Sequence, residues 1–122
     1  MSNPSVRVLF TQYFTRVLKQ LHKRYRHIES DLIPLIEDLT EGKTPGDQIQ
    51  GVGYTAYKVR LANTDTQKGK SGGYRVIYYV KSPESIYLLT MYTKLMFVDI
   101  EEDEIRRLIE EMPDNDPEDL SQ

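Results

Sequence analysis

YRVIYYVKSPESIYLLTMY, residues 74–92, contains two runs of β-branched and aromatic side chains on either side of a short polar turn. Such side chains favour extended strands, and the Ser-Pro-Glu at residues 82–84 is typical of a turn. The pattern predicts strands at residues 74–81 and 85–92 that follow each other in an antiparallel meander. The C-terminal half of the chain is therefore expected to form a sheet.

Further strands are predicted on the N-terminal side of this pair. After a polar turn at residues 44–47, strand-forming side chains return at residues 48–52 and 56–62. Residues 6–10 are apolar and β-branched enough for one short strand near the start of the chain. The sequence thus predicts five strands, of which the last four form the meander.

Two helices are predicted between the first strand and the meander. Apolar residues at spacings of three and four indicate an amphipathic first helix; they are Phe14, Val17, Leu18, Leu21, Tyr25 and Ile28. The second helix is expected to have Asp31 as its N-cap, Pro34 in its first turn and Gly42 at its end. His22 and His27 both fall on the predicted first helix, where we interpret them as solvated or hydrogen-bonded.

A last helix and a polar tail complete the predicted organisation. Asp99 followed by Glu102 resembles a capping box, and the apolar spacing after it indicates a helix. The order β-α-α-β-β-β-β-α predicts an α+β domain over residues 1–113, with helices on one sheet face and the other face open. Residues 114–122 are expected to be a disordered acidic tail.

Composition excludes several classes of protein. The chain has 122 residues, 39% of them hydrophobic, which is enough for one domain with a core. It has no Cys, which excludes a disulfide framework, a thiolate nucleophile and zinc sites built on thiolates. No run approaches the roughly eighteen apolar residues that span a bilayer. We therefore expect a cytoplasmic protein without membrane association.

The net charge of −3 conceals a strong asymmetry along the chain. Residues 1–98 carry fourteen of the sixteen Lys and Arg but only eight of the nineteen acidic residues, a balance of +6. The basic body favours an anionic ligand. We interpret the acidic end as a solvated helix face and tail, or as a tail that competes with that ligand.

Cations cluster around the connection into the strand at residues 74–81. The run KGKSGGYR, residues 68–75, contains three cations and three glycines. Upstream of it, Lys58 and Arg60 alternate with apolar residues and should share one sheet face. Cations on a sheet face and in its hairpin loop, with few carboxylates nearby, suggest recognition of phosphate esters.

The ordered motifs IQG, KxR, GKxGGxR, IYY and YLLxxYxK within residues 46–100 resemble the RelE/HigB toxins of bacterial type II toxin–antitoxin systems, most closely the HigB-like branch. The resemblance implies a ribosome-dependent endoribonuclease that cuts messenger RNA in the decoding site. It also implies a cognate antitoxin, expected to be a small helix-turn-helix protein. By motif match, the family's catalytic cations fall on Lys58, Arg60 and Arg75.

The chemistry that the resemblance implies suits these side chains. Attack of a ribose 2′-OH on the adjacent phosphate develops negative charge on the phosphoryl oxygens, which fixed Arg or Lys donors stabilise. The reaction leaves a 2′,3′-cyclic phosphate and a 5′-OH, and we expect no metal or other cofactor. Residues 48–98 contain only Asp65 and Glu84 as acids, too few for a two-metal nuclease.

The groups that transfer protons are not evident, because the sequence shows neither a histidine nor a carboxylate at the implied site. Tyr92 and Lys94, in the last matched motif, are candidates if a cationic neighbourhood lowers their pKa values. The flanking cations Lys68 and Lys70 are expected to bind RNA backbone. By alternation, Tyr79 shares a face with Arg75 and is the candidate for stacking a base.

One departure from the family pattern keeps two alternatives open. The lysine that Lys94 matches is often followed by a cation or polar residue, whereas this chain has Leu95, Met96 and Phe97. One alternative is a toxin-fold protein that acts on a protein target, as gyrase inhibitors do. The other is a catalytically inactive RNA-binding or regulatory module, which is favoured if the apolar cluster has replaced essential groups.

Overall fold

The computed structural model describes residues 6–66, 73–96 and 99–112. The elements are β1 (Arg7–Phe10), α1 (Gln12–His22), α2 (Ile28–Thr40), β2 (Asp47–Gln48), β3 (Ala56–Leu61), β4 (Tyr74–Ser82), β5 (Ser85–Thr93) and α3 (Glu102–Glu110). The predicted α+β class and element order are confirmed. Lys68, Lys70, Phe97 and the predicted acidic tail lie outside the described residues. Within the described ranges, no helix is long and apolar enough to cross a membrane.

The strands form one five-stranded sheet in the order β1-β5-β4-β3-β2. The predicted hairpin is confirmed, since β4 and β5 pair antiparallel from Tyr74 opposite Thr93 to Ser82 opposite Ser85. β1 lies at the far edge and pairs with β5 in parallel, so the sheet is mixed. Parallel pairing requires a long crossover connection, which here begins with α1 and α2.

Helices cover both faces of the sheet, so the prediction of one open face is wrong. α1 and α2 pack on one face through residues such as Phe14 and Leu32, whereas Ile105 and Ile109 of α3 pack on the other. The two helical layers therefore enclose the sheet in two separate apolar clusters.

The composition of β4 explains why helices cover both faces of the sheet. Tyr74, Val76 and Tyr78 face α1 and α2, whereas Arg75 and Ile77 face α3, and all five are buried. A strand whose side chains are buried on both faces needs a covering layer on each side. The apolar side chains of α3 supply the second layer.

The boundary between the first two helices differs from the prediction. α1 ends at His22, and a turn leads to α2, which begins at Ile28 with His27 as its N-cap. The prediction that both histidines lie on one helix, and that Asp31 is an N-cap, is therefore wrong. Asp31 instead accepts hydrogen bonds from the amide and hydroxyl of Thr64, each 3.0 Å long. The apolar spacing continues across the turn, which conceals it in the sequence.

The bend after β2 is shaped by glycine and held by α3. β2 covers only Asp47–Gln48, not the predicted residues 48–52, because the chain bends at Gly51, where φ is +86°. Arg106 of α3 donates hydrogen bonds to the carbonyl oxygens of Gly51, at 2.8 Å, and Val52, at 3.2 Å. The bend thereby fixes α3 against the sheet.

Candidate active site

Strand register aligns three predicted site residues in one row across the sheet. Arg60 on β3 lies opposite Arg75 on β4, and Arg75 lies opposite Tyr92 on β5. Directly paired residues of antiparallel strands project from the same face. Alternation adds Lys58 and Tyr79 to this face, which is the one that α3 covers. We call these five residues the cationic face.

Arg75 is a buried cation. The residue is only 4% exposed, and its Nη1 donates a hydrogen bond to the carbonyl oxygen of Gly73 at 3.3 Å. Among the residues with described positions, no carboxylate forms an ion pair with it. A buried charge without a counter-charge is unfavourable, so this guanidinium is suited to bind an anion.

Glycine is required at the start of β4. A Cβ atom on Gly73 would lie 1.8 Å from the carbonyl oxygen of Leu61, far inside van der Waals contact. Gly73 thus allows β3 and β4 to approach at the end of the strands where Arg60 and Arg75 are paired. The glycine-rich run, interpreted from the sequence as a site, has at least this structural role.

Lys58 is held by a carboxylate that the sequence analysis did not place at the site. Its Nζ lies 3.1 Å from both Oδ1 and Oδ2 of Asp99. The expectation of a site without a carboxylate is therefore wrong, and so is the capping-box prediction, because α3 has Glu101 as its N-cap. After β5 the chain turns, and Asp99 lies beside Lys58 of the sheet.

Tyr92 is also bound to this carboxylate. Its buried hydroxyl donates a 2.9 Å hydrogen bond to Oδ1 of Asp99. Burial, and then this hydrogen bond, raise the pKa of Tyr92, and the nearby Arg75 charge offsets only part of that rise. The condition under which Tyr92 was a candidate for proton transfer, a lowered pKa, is therefore not met. In this arrangement Tyr92 is a hydrogen-bond donor, not a base.

Asp99 is itself ionised at neutral pH. Burial acts to raise its pKa, but hydrogen bonds from the Ile100 amide, Lys58 and Tyr92 outweigh burial and hold the pKa below its usual value. Oδ1 accepts from all three donors, whereas Oδ2 accepts only from Lys58 among the described groups. The Asp99 side chain remains 58% exposed.

A cavity of about 300 Å³ adjoins the Lys58–Asp99 pair, and both residues line it. The other lining residues are four isoleucines and the polar residues Asp47, Gln48 and Glu102. Its lining combines apolar and polar side chains, as in many small-molecule sites. Within the described ranges, no three His, Asp or Glu side chains are grouped to hold a metal ion.

The structure does not bring every predicted residue to this row. Tyr79 lies four residues along β4 from Arg75, roughly 13 Å at strand spacing. Its ring contacts Tyr54 edge-on, with centroids 5.8 Å apart, and Tyr87 in a stacked arrangement at 6.4 Å. Lys94 is exposed in the turn that follows β5. Their assigned roles stay predictions.

Comparison with known families agrees with this architecture. The sequence model described as the RelE toxin of the RelE/RelB toxin–antitoxin system matches residues 6–114, a range that includes every element from β1 to α3. None of the curated proteins is similar enough in sequence to count as a match. The chain therefore belongs to the RelE family of toxins from toxin–antitoxin systems.

Proposed function

We propose that this chain is a ribosome-dependent endoribonuclease of the HigB-like branch, which cuts messenger RNA and so inhibits translation. Toxins of the RelE family are generally RNases that inhibit translation, and membership implies an antitoxin partner. The observation that carries the proposal is the buried guanidinium of Arg75, which has no carboxylate partner among the described residues and lies opposite a second arginine.

The proposed chemistry assigns a role to each cation of the cationic face. Arg75 and Arg60 stabilise the charge that develops on the phosphoryl oxygens while the 2′-OH attacks the phosphorus. Lys58 contributes a third positive charge beside them. Lys68 and Lys70 bind the RNA backbone. The products are a 2′,3′-cyclic phosphate and a 5′-OH.

The ribosome supplies what this face lacks. Attack of the 2′-OH requires the attacking oxygen, the phosphorus and the leaving oxygen to lie in line, and alignment of this kind accounts for a large part of catalytic power. A flexible RNA strand laid on exposed side chains such as Arg60 is not fixed in that geometry. Messenger RNA held in the decoding site is already restrained.

One observation favours the inactive-module alternative. Leu95 is 75% exposed and Met96 is 45% exposed, directly after Lys94. An apolar surface at this position fits a contact with another macromolecule better than it fits proton transfer. On this alternative the chain still binds ribosomes or RNA but cuts nothing.

The test compares cleavage of the same messenger RNA when naked and when bound to ribosomes with an empty decoding site. We expect the wild type to leave naked RNA nearly intact and to cut ribosome-bound RNA within or beside the exposed codon. Arg75→Ala should lower that rate by about 10²–10³, the effect of removing one charge-stabilising donor. Arg16→Ala, an exposed arginine of α1 on the opposite side of the sheet, is the matched control.

Two results would contradict the proposal. Equal cutting of naked and ribosome-bound RNA would remove the dependence on the ribosome. A folded Arg75→Ala variant that cuts at the wild-type rate would remove Arg75 from the mechanism. Ribosome binding by the wild type without any cleavage would favour the inactive module.

A further inference from the structure

The Asp99 carboxylate is hydrogen-bonded to both Lys58 and Tyr92, and one of its two oxygens remains accessible. Oδ1 accepts hydrogen bonds from Lys58, Tyr92 and the Ile100 amide, at 3.1, 2.9 and 2.9 Å. Oδ2 accepts from Lys58 alone among the described donors, and the side chain is 58% exposed at the edge of the cavity. Oδ2 therefore retains lone-pair capacity for an incoming hydroxyl.

We propose that Asp99 is the proton acceptor of the cleavage reaction, and that the adjoining cavity receives the ribose whose 2′-OH attacks. This inference rests on the proposed function and identifies the base that it lacks. A general base has to lie within hydrogen-bond reach of the proton that it removes, and a carboxylate at the rim of a cavity next to the phosphate-binding cations meets that requirement.

The proposed reaction balances in bonds and protons, and solvent water is the only additional reactant. The 2′-O–H bond breaks and its proton moves to Oδ2 of Asp99, while the 2′-oxygen forms a bond to phosphorus. The bond between phosphorus and the 5′-oxygen then breaks, and that oxygen takes a proton from water. Asp99 returns its proton to solvent. Protonation of Asp99 also removes the counter-charge of Lys58, whose positive charge becomes available to the phosphoryl oxygens as they gain charge.

The neighbouring groups are less suited to accept this proton. Lys58 and Arg75 are cations, and Tyr92 already donates its hydroxyl proton to Asp99. The carboxylates Asp47 and Glu102 line the same cavity, but neither forms an ion pair with Lys58 in the described part of the chain, so their protonation would not release the Lys58 charge. A bound phosphate competes for Lys58, which weakens the hold on Asp99 and makes its carboxylate more basic.

The experiment measures single-turnover cleavage on programmed ribosomes between about pH 6.5 and about pH 8.5. The wild-type rate should be nearly constant, because Asp99 is ionised throughout this range. Asp99→Asn should be about 10²–10⁴-fold slower, and its rate should rise about tenfold per pH unit because hydroxide must remove the proton. Asp99→Glu should restore part of the rate and the flat pH profile.

Matched controls separate this role from a structural one. Asp103→Asn makes the same chemical change at a carboxylate that is 92% exposed and pairs with Arg106; its cleavage rate should match the wild type. Thermal unfolding and co-sedimentation with ribosomes verify that Asp99→Asn is folded and bound.

Three other outcomes would overturn the inference, each for a different reason. An Asp99→Asn variant that cuts as fast as the wild type, or faster, would mean that Asp99 only competes with phosphate for Lys58. A slow variant with a flat pH profile would mean that Asp99 only positions Lys58. A wild type that cuts nothing on ribosomes would overturn the proposed function, and this inference with it.

Discussion

Replacement of Arg75 by methionine should separate stability from activity. Arg75→Met keeps an unbranched stem in the buried position and removes the charge and its donors. The substitution loses one hydrogen bond, to the Gly73 carbonyl oxygen at 3.3 Å, which contributes about 1.5–3 kcal/mol when one partner is charged. It also removes a buried cation that no described carboxylate neutralises, and so relieves a desolvation cost of about a few kcal/mol.

These two effects have opposite signs and similar sizes, so we expect the free energy of unfolding to change by less than about 3 kcal/mol. Activity should respond very differently. Loss of one donor aimed at the developing phosphoryl charge corresponds to about 2.7–4 kcal/mol, or about 10²–10³ in rate. Expression of Arg75→Met in a bacterial host should therefore no longer arrest growth.

The assays are urea unfolding of the purified protein and growth after induction, with Arg16→Met on the exposed side of α1 as the control. A variant destabilised by more than about 3 kcal/mol would show that Arg75 mainly supports the fold. A stable variant that remains fully toxic would refute the assignment of Arg75 to phosphate binding.

Three further measurements test the partner and two particular contacts. Co-expression with a small adjacent-gene product should restore growth and yield a co-purifying complex; failure of both would contradict the antitoxin prediction. In urea unfolding, Gly73→Ala should destabilise the protein more than Gly53→Ala, because only the first places a Cβ within 1.8 Å of a carbonyl oxygen, at Leu61. Hydrogen bonding and charge from Asp65 raise the pKa of His27, so its stabilising contribution should be complete below about pH 6.5 and lost as pH rises through the raised value. His27→Gln should flatten that part of a profile of melting temperature against pH.

The sheet was largely readable from the sequence, and the second helical layer was not. Residues 74–92 predicted the hairpin because strand-forming runs flank a turn, and alternation correctly grouped Lys58 with Arg60 and Arg75 with Tyr79. The same runs are apolar on both faces, which indicates a covering layer on each face of the sheet. The cations at alternate positions suggested an exposed face instead. Local periodicity describes a strand and not what packs on it.

The site carboxylate was missed for a different reason. Asp99 lies 41 residues from Lys58 in the sequence and closely precedes α3, where an acidic residue has a local explanation as a helix cap. The contact depends on how the chain turns after β5, which hydrophobic spacing does not specify. The available signal for this carboxylate was its position in the sequence, because Asp99 closely follows the matched motif that ends at Lys94.

In the proposed mechanism, the charges of the candidate site favour the transition state over the bound substrate. Lys58, Arg60, Arg75 and the Asp99 carboxylate together leave a charge of +2, while a phosphodiester carries a single negative charge and its pentacoordinate transition state approaches two. The proposed proton transfer to Asp99 would raise the positive charge at the stage when the phosphoryl oxygens become most negative. Interactions that strengthen in this way accelerate the reaction, whereas equal binding of substrate and transition state does not. In the proposed mechanism, the Lys58–Asp99 pair therefore couples proton removal to charge stabilisation, and Arg75 provides the part of the positive charge that is present from the start.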